Sequence, residues 1–235
     1  MSYNQFAWYY DSLMEPQFYQ DYFRFILNQG NFRNALELGC GTGTMANLLS
    51  PYISHIDATD LSEEMIQIAR EINVKKNISY SLMNMIDLDK DNLYDLVLCL
   101  CDSLNYVLGY EHQKMVLSKV FQSLENHGTF IFDVHSMHKI NVTFLDYKEE
   151  QEDDDFYFYW SCKKTNDYEI THHVVIEDLD TDQRMEEKHI QQSFPLELYL
   201  KTLKDIGFSN IQCYSEFKDY DPNGDRIIFV CRKEV

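Results

Sequence analysis

One stretch constrains the fold of this chain more than any other: Leu36-Glu37-Leu38-Gly39-Cys40-Gly41-Thr42-Gly43-Thr44. A short apolar strand ends there in glycines at alternate positions. An amphipathic helix follows, with apolar residues at i, i+3, i+4 and i+7, namely Met45, Leu48, Leu49 and Tyr52. Glycine permits positive φ angles and lets a ligand approach the backbone closely, and a helix start presents free N–H groups. The stretch therefore predicts a nucleotide-type site at the end of a strand.

The spacing of the glycines separates classes of nucleotide site. A dinucleotide site typically has G-x-G-x-x-G, where an open helix start holds a pyrophosphate. Gly39, Gly41 and Gly43 instead give G-x-G-x-G, and Glu37 stands two residues before the first glycine. This tighter loop argues against a nicotinamide-dependent oxidoreductase, which is kept as an alternative that a nicotinamide-binding assay decides.

Composition limits the remaining classes of function. A chain of 235 residues with 45% apolar residues suits one domain with a substantial core. No apolar run is long enough to span a membrane, and the N-terminus lacks a secretory signal. The six scattered cysteines are therefore expected to be reduced thiols in a cytoplasmic protein. A net charge of −19 without a cluster of basic residues disfavours nucleic acid as a partner.

Strands and helices alternate regularly after the glycine stretch. Further strands are predicted at His55–Asp60, Ile78–Met83, Tyr94–Cys101 and Thr129–Val134, with a helix before the last of them that ends at Gly128. Such alternation is typical of a parallel, doubly wound sheet. Asp60 then stands at the tip of the second strand, where a carboxylate can accept two hydrogen bonds from a ribose diol.

The alternation of strands and helices stops after residue 140. Residues 141–194 show strand patterns and turn signals without a clear helix, which indicates a small antiparallel β insertion. A helix that begins after Pro195 and a pair of strands then close the chain as an antiparallel hairpin. We therefore assign residues 1–140 and 195–235 to one α/β domain, in which the aromatic-rich residues 1–30 form a helical lid. The insertion lies on the substrate side.

Five motifs together resemble a known family. They are Tyr10-Asp11-x-Leu-Met14, the stretch from Leu36 to Gly43, Asp60-Leu-Ser-x-x-Met65, Asp102-Ser-Leu-Asn-Tyr106 and Phe130-Ile-Phe-Asp133. They look like the class I S-adenosylmethionine (SAM) methyltransferases, in particular a small bacterial subgroup with Y-D-x-x-M and D-S-x-N-Y signatures that is related to amino-sugar N-methyltransferases. The resemblance spans nearly the whole chain. It implies a seven-stranded Rossmann-like methyltransferase sheet that ends in an antiparallel hairpin.

The resemblance also implies roles for individual residues, with SAM as the cofactor and no metal. Asp60 is expected at the ribose diol, and Asn84 and Met85 at the adenine. The other cofactor-binding residues that it implies are Tyr10, Glu37, Gly39, Gly41, Gly43, Leu61 and Cys101. The loop that follows the fourth strand, through Asp102, Asn105 and Tyr106, is expected to bind the substrate.

Two departures from the family pattern bear on these roles. The family usually has aspartate where this chain has Asn84, so the adenine site keeps an acceptor but loses a charge. The family also tends to have Glu-x-His-x-Gln-Arg in the insertion, whereas the sequence here is Glu187-Lys-His189-Ile-Gln191-Gln192. Gln192 in place of arginine puts an anion-binding role there in doubt.

Methyl transfer mainly requires alignment of the nucleophile, the methyl group and the sulfur. A base is needed only if the nucleophile arrives protonated, and His189, with His135 in reserve, is the candidate. Either histidine could instead be a surface or strand-packing residue. We expect a small-molecule acceptor with a nitrogen or oxygen nucleophile and a monomer or homodimer. Two further functions stay open, a non-catalytic SAM-binding or partner-binding module and an RNA methyltransferase.

Overall fold

The computed structural model describes residues 16–152, 156–181 and 183–234 of the chain. Its helices are α1 (Pro16–Leu27), α2 (Thr44–Leu49), α3 (Glu63–Ile72), α4 (Tyr110–Ser123) and α5 (Leu196–Ile206). The strands of the main sheet are β1 (Asn34–Leu38), β2 (His55–Asp60), β3 (Ile78–Leu82), β4 (Tyr94–Cys99), β5 (Leu124–His135), β10 (Ser209–Ser215), β11 (Lys218–Asp219) and β12 (Arg226–Arg232). A second sheet contains β6 (Lys148–Glu152), β7 (Phe156–Asn166), β8 (Glu169–Asp178) and β9 (Gln183–Gln192).

The main sheet has the strand order β11-β10-β12-β5-β4-β1-β2-β3. Strands β1 to β5 run parallel, while β12 and β10 add to the far side in antiparallel pairing. This arrangement confirms the predicted doubly wound sheet with its terminal hairpin. It differs from the predicted seven strands only by β11, a two-residue edge strand formed where the chain turns back after β10.

Helices cover both faces of this sheet, and alternate residues of the central strand β4 separate the two sides of the core. Leu96 and Leu98 pack with α1, α2 and α3, whereas Val97 and Cys99 pack with α4 and α5. A parallel strand buried on both faces is expected to be a nearly continuous apolar run, and β4 is one. In the described part of the chain no helix is both long and apolar enough to cross a membrane.

The helix before β5 ends earlier than the sequence predicts. Helix α4 ends at Ser123, and Leu124, which lies within the helix predicted to end at Gly128, already begins β5 beside Tyr94. The carbonyl of Val120 accepts both the Leu124 N–H and the Ser123 hydroxyl at the end of the helix. Gly128, predicted to stop the helix, lies within the strand instead.

The second sheet is an antiparallel meander in the order β6-β7-β8-β9, as predicted for the insertion. Its last strand is joined to the main sheet through Asn105, which is fully buried. The Asn105 amide nitrogen donates to the Gln192 carbonyl at 2.7 Å, and its amide oxygen accepts from the His135 N–H at 3.1 Å. The Gln192 side chain in turn accepts from the Gly109 N–H at 2.7 Å. These bonds fix the end of β9 against the loop after β4.

We expect Asn105→Ala to lower the free energy of unfolding by about 2–3 kcal/mol. It leaves the buried His135 N–H without a partner and removes one of the two amide donors, Asn105 and Gln113, from the Gln192 carbonyl. Urea denaturation followed by circular dichroism measures this loss. Asn141→Ala is the matched control, since Asn141 also bonds through its amide but is exposed. Asn141→Ala should lower the free energy of unfolding by less than about 1 kcal/mol. Equal losses for the two variants would contradict the view that Asn105 joins the insertion to the main sheet.

Candidate functional site

The glycine loop between β1 and α2 is fixed to the neighbouring strand by its own backbone. The N–H groups of Gly39 and Cys40 both donate to the Thr59 carbonyl, at 2.8 and 2.9 Å. Gly39, Gly41 and Gly43 have φ angles of 71°, 53° and 81°, in the left-handed region that favours glycine. The loop therefore takes a single, tightly curved path at the end of β1.

The three glycines serve different purposes in this loop. A Cβ on Gly39 would lie 2.6 Å from the Ser103 hydroxyl, and one on Gly43 would lie 2.6 Å from the Tyr80 hydroxyl, so packing requires both glycines. A Cβ on Gly41 would meet nothing within 4 Å. Gly41 instead forms part of a cavity wall, where the missing side chain leaves the backbone open to a ligand.

This cavity has a volume of about 740 Å³ and lies at the carboxyl ends of the parallel strands. Its walls come from β1, the glycine loop, the end of β2, the turns after β2, β3 and β4, and one residue each from α1, α2, α3, α4 and β9. Open α/β sheets bind ligands at this edge of the sheet. The volume suits a nucleoside-sized ligand.

Asp60, at the tip of β2, is held rigidly in the cavity wall. One carboxylate oxygen accepts from the Gly41 N–H at 2.8 Å, and the other accepts from the Ser62 N–H at 2.9 Å. Each oxygen of a carboxylate has a second acceptor position. Asp60 can therefore bind two donors of a ligand while it holds the loop in place.

Glu37 supplies a second carboxylate to the wall, and its state differs from that of Asp60. It is 4% exposed, accepts a backbone hydrogen bond from Ala46 at the start of α2, and has its Oε2 atom without any partner. Burial, and then the negative charge of Asp60, raise the pKa of Glu37 to about 8. A buried carboxylate oxygen without a donor is rare, so this atom is a candidate for ligand contact.

Comparison with known proteins agrees with this site. A family model described as a methyltransferase domain matches residues 35–128, which include the glycine loop, Asp60 and the strand β4. Two bacterial proteins whose names contain the word methyltransferase align with almost the whole chain. The protein from Geobacillus sp. (strain WCH70) is 30% identical over 99% of this chain and 100% of its own length. The protein from Bacillus subtilis (strain 168) is 30% identical over 99% of this chain and 98% of its own.

The chain belongs to the class I SAM-dependent methyltransferases. A solved SAM-dependent methyltransferase from Clostridium acetobutylicum is 26% identical, with a TM-score of 0.86 and full coverage of both chains. An amino pentose methyltransferase from Micromonospora echinaspora, solved with SAM bound, has a TM-score of 0.78 at 13% identity and covers 99% of this chain and 98% of its own. A sugar N-methyltransferase from Streptoalloteichus has a TM-score of 0.71 at 20% identity and covers 87% of this chain and 81% of its own. The last two likenesses concern the fold.

Most of the residues predicted to form the site of this methyltransferase line the cavity. These are Glu37, Gly39, Gly41, Asp60, Leu61, Asn84, Met85, Cys101, Tyr106 and His189. Four others do not line it: Gly43, Asp102, Asn105 and His135. Tyr10 lies outside the described residues. The predicted roles of the lining residues stay predictions, because position in a wall does not by itself assign a contact.

Asp102, which was predicted to bind the substrate, does not line the cavity but belongs to an ionic network behind it. Its substrate role stays a prediction. Its carboxylate accepts from Arg226 at 3.0 Å and from the Gln191 amide at 2.8 Å. Its own N–H donates to Asp133, which also pairs with Arg226. Asn105 is likewise committed to the joint with β9. Both residues therefore lie behind the cavity wall and do not line the cavity.

His135 is buried in the same network, which argues against its reserve role as a base. Its Nε2 atom lies 2.9 Å from the Gln191 amide oxygen and 3.6 Å from the Asp102 carboxylate. Burial lowers the pKa of His135 to about 3, although the charge of Asp102 opposes the shift. An imidazole this weakly basic, outside the cavity, is a poor proton acceptor.

His189 reaches the cavity from the insertion and meets Tyr106 there. The Nε2 atom of His189 lies 2.9 Å from the Glu187 carboxylate, and its ring stands edge-on to Tyr106 with centroids 6.1 Å apart. A histidine with Nε2 bound to a carboxylate carries its proton on Nε2 and keeps a lone pair on Nδ1. The geometry favours His189 over His135 as the base candidate.

Sequence reasoning missed several lining residues that the methyltransferase fold brings together. The main ones are Tyr19, Met45, Met83, Leu100, Ser103, Val107 and His112. Ser103 lies inside the D-S-x-N-Y motif, and Tyr19 lies in the aromatic segment interpreted as a lid. The sequence therefore contained a pattern that could have pointed to each of them. The described residues contain no group of three or more His, Cys, Asp or Glu side chains that could hold a metal ion.

We expect Gly39→Ala to act mainly on stability and Gly41→Ala mainly on ligand binding. Gly39→Ala forces Cβ against Ser103 and should cost several kcal/mol of folding free energy, roughly 2–4. Gly41→Ala meets no atoms, so it should cost only the left-handed strain of about 1–2 kcal/mol. It should nevertheless weaken S-adenosylhomocysteine (SAH) binding about tenfold or more, because the new methyl group occupies the cavity wall. Chemical denaturation and calorimetric titration separate the two effects, and full SAH affinity in Gly41→Ala would contradict this assignment.

Proposed function

We propose that this methyltransferase transfers the methyl group of SAM to a nitrogen or oxygen nucleophile of a small molecule. The observation that carries the proposal is one cavity with unlike ends. The carboxylates of Glu37 and Asp60 lie by the glycine loop, and Tyr106 and His189 form part of the wall supplied by the β4 loop and the insertion. The first pair suits a nucleoside with a cationic side chain, and the second suits a proton-bearing acceptor.

The polar and apolar side chains of the cavity fit SAM. The second acceptor positions of Asp60 suit the two hydroxyls of a ribose, and the unpartnered Oε2 of Glu37 suits a positive group on the methionine part. Leu61 and Met85 offer apolar surface to an adenine ring. The Asn84 amide oxygen accepts from the Ile86 N–H, which orients its amide beside them. Because a primary amide carries both N–H donors and a carbonyl acceptor, Asn84 can either donate to or accept from the purine edge.

The acceptor is proposed to lie between Tyr106, His189 and the cofactor. SAM, when bound, supplies a methyl group that its sulfonium has already activated. The protein's remaining task is to align the nucleophile and, where that nucleophile carries a surplus proton, to remove it. We assign this proton to Nδ1 of His189, with Glu187 holding the ring and stabilising the imidazolium that results.

We further propose that the nucleophile of the acceptor is a nitrogen atom. Several structural neighbours are named for amino-sugar or N-methyl transfer. The carboxylates of Asp60 in the cavity wall and of Glu187 beside His189 would also attract a cationic amine, which must lose a proton before it can attack. A cytoplasmic location and a monomeric or homodimeric state stay predictions, and all six cysteines are free thiols.

Calorimetric titration with SAM, SAH and NADH tests the cofactor part. We expect dissociation constants of about 1–100 μM for the sulfur nucleosides and no binding of NADH. Asp60→Ala should weaken SAH binding about tenfold or more, because two ribose hydrogen bonds are lost. Asp57→Asn is the control: Asp57 also lies on β2, bonds to Tyr94 and stands outside the cavity. NADH binding without SAH binding would overturn the proposal.

The base role is tested by turnover with an acceptor found by screening amino and hydroxyl sugars. We expect His189→Ala to lower kcat about 10²-fold or more. His173→Ala is a matched control, because His173 pairs with Glu186 at 2.8 Å on the neighbouring strand but does not line the cavity. Unchanged turnover in His189→Ala from pH 6 to 9 would show that His189 is not the base. SAH binding without turnover of any acceptor would favour the non-catalytic module.

A further inference from the structure

Glu37 is positioned by backbone geometry to face the cavity without a partner. It lies on β1 between the buried residues Leu36 and Leu38. Gly43 begins α2 without a side-chain cap, and the Glu37 carboxylate accepts the backbone hydrogen bond from Ala46 in the first turn. This contact fixes the carboxyl group while its Oε2 atom remains buried and unpartnered.

The groups around Glu37 are all neutral or acidic. Asp60 faces it from the end of β2, Cys40 from the glycine loop and Tyr80 from β3, while Cys99 and Cys101 face it from β4. Among the described residues, no basic side chain contributes to its pKa, which is raised to about 8. In the ligand-free protein the carboxyl group therefore holds a proton at neutral pH.

We propose that the positive charge of the bound cofactor replaces this proton, so that cofactor binding releases one proton from Glu37 and is tighter at higher pH. The inference rests on the proposed function. In this exchange the Glu37 O–H bond breaks, the proton passes to solvent, and the carboxylate pairs with the positive group of the ligand. Only this proton moves, so the step needs no oxidant or other reactant.

The size of the effect follows from linkage. If Glu37 is protonated below about pH 8 when free and ionised when bound, the dissociation constant should fall about 50-fold between pH 6 and pH 8. It should level off above that range. The positive group involved is either the α-ammonium, which SAM and SAH share, or the sulfonium, which only SAM carries. Proton release with both ligands assigns the ammonium, and release with SAM alone assigns the sulfonium.

Calorimetry in buffers with different ionisation enthalpies measures the released protons directly and requires no acceptor or turnover. At pH 7 the observed binding enthalpy, plotted against the buffer ionisation enthalpy, should have a slope of about one proton released for wild type. Glu37→Gln keeps the shape and burial of the side chain and should reduce the slope by about one. Its affinity should also become nearly independent of pH from 6 to 8.

Two histidines also line the cavity, His112 and His189. Both are present in wild type and in Glu37→Gln, so the difference between the two slopes isolates Glu37. Asp57→Asn controls for a carboxyl-to-amide change outside the cavity and should keep the wild-type slope.

Thermal unfolding without ligand provides a second readout. A carboxyl whose pKa rises on folding binds its proton more tightly in the native state, so stability falls as pH rises from about 4.5 to 8. Glu37→Gln should therefore unfold at a higher temperature than wild type at pH 8, and the gap should close at pH 5. Two outcomes separate the claims. Absence of SAM and SAH binding at any pH would contradict the proposed function. Normal binding with equal proton release in wild type and Glu37→Gln would contradict this inference alone.

Discussion

The structure depends on the hydrogen bonds that hold the glycine loop against the end of β2. Thr59 accepts the N–H groups of Gly39 and Cys40 through its carbonyl, and Asp60 accepts that of Gly41. These bonds leave the loop no freedom to close over the sheet edge. The loop is tied to β2, and Asp60, whose carboxylate ties it, also lines the cavity and is the residue that we propose for the ribose. In this proposal one residue serves both the fold and cofactor binding.

The second determinant is the joint between the insertion and the main sheet. Asn105 binds both the end of β9 and the end of β5, and Gln191 from β9 binds Asp102. Because these side chains are buried and paired, they place β9 at a fixed distance from the loop after β4. His189, two residues before Gln191, thereby comes to stand beside Tyr106. The joint acts on the site through position, without a group of its own in the cavity.

The strand–helix alternation and the glycine spacing predict the fold and the cofactor end of the site, because both signals are local in sequence. The substrate end is less predictable. Cys101 and Asp102 both take left-handed backbone angles, with φ of 54° and 53°. The chain turns sharply there, and Cys101 faces the cavity while Asp102 faces Arg226, which is 124 residues away. Only tertiary contact reveals that partner, as it does for Asn105 and His135. The early end of α4 is similar, since pairing with β4 outcompetes the helical preference of Leu124.

A crystal structure of the protein with SAH tests the central claim most directly. We expect the ribose hydroxyls on the Asp60 carboxylate, the adenine ring between Leu61 and Met85, and the sulfur toward Tyr106 and His189. We also expect a positive group of the ligand, or the sulfur side of it, at the Oε2 atom of Glu37. A nucleoside bound elsewhere on the protein, or one in this cavity without contact to Asp60, would contradict the claim.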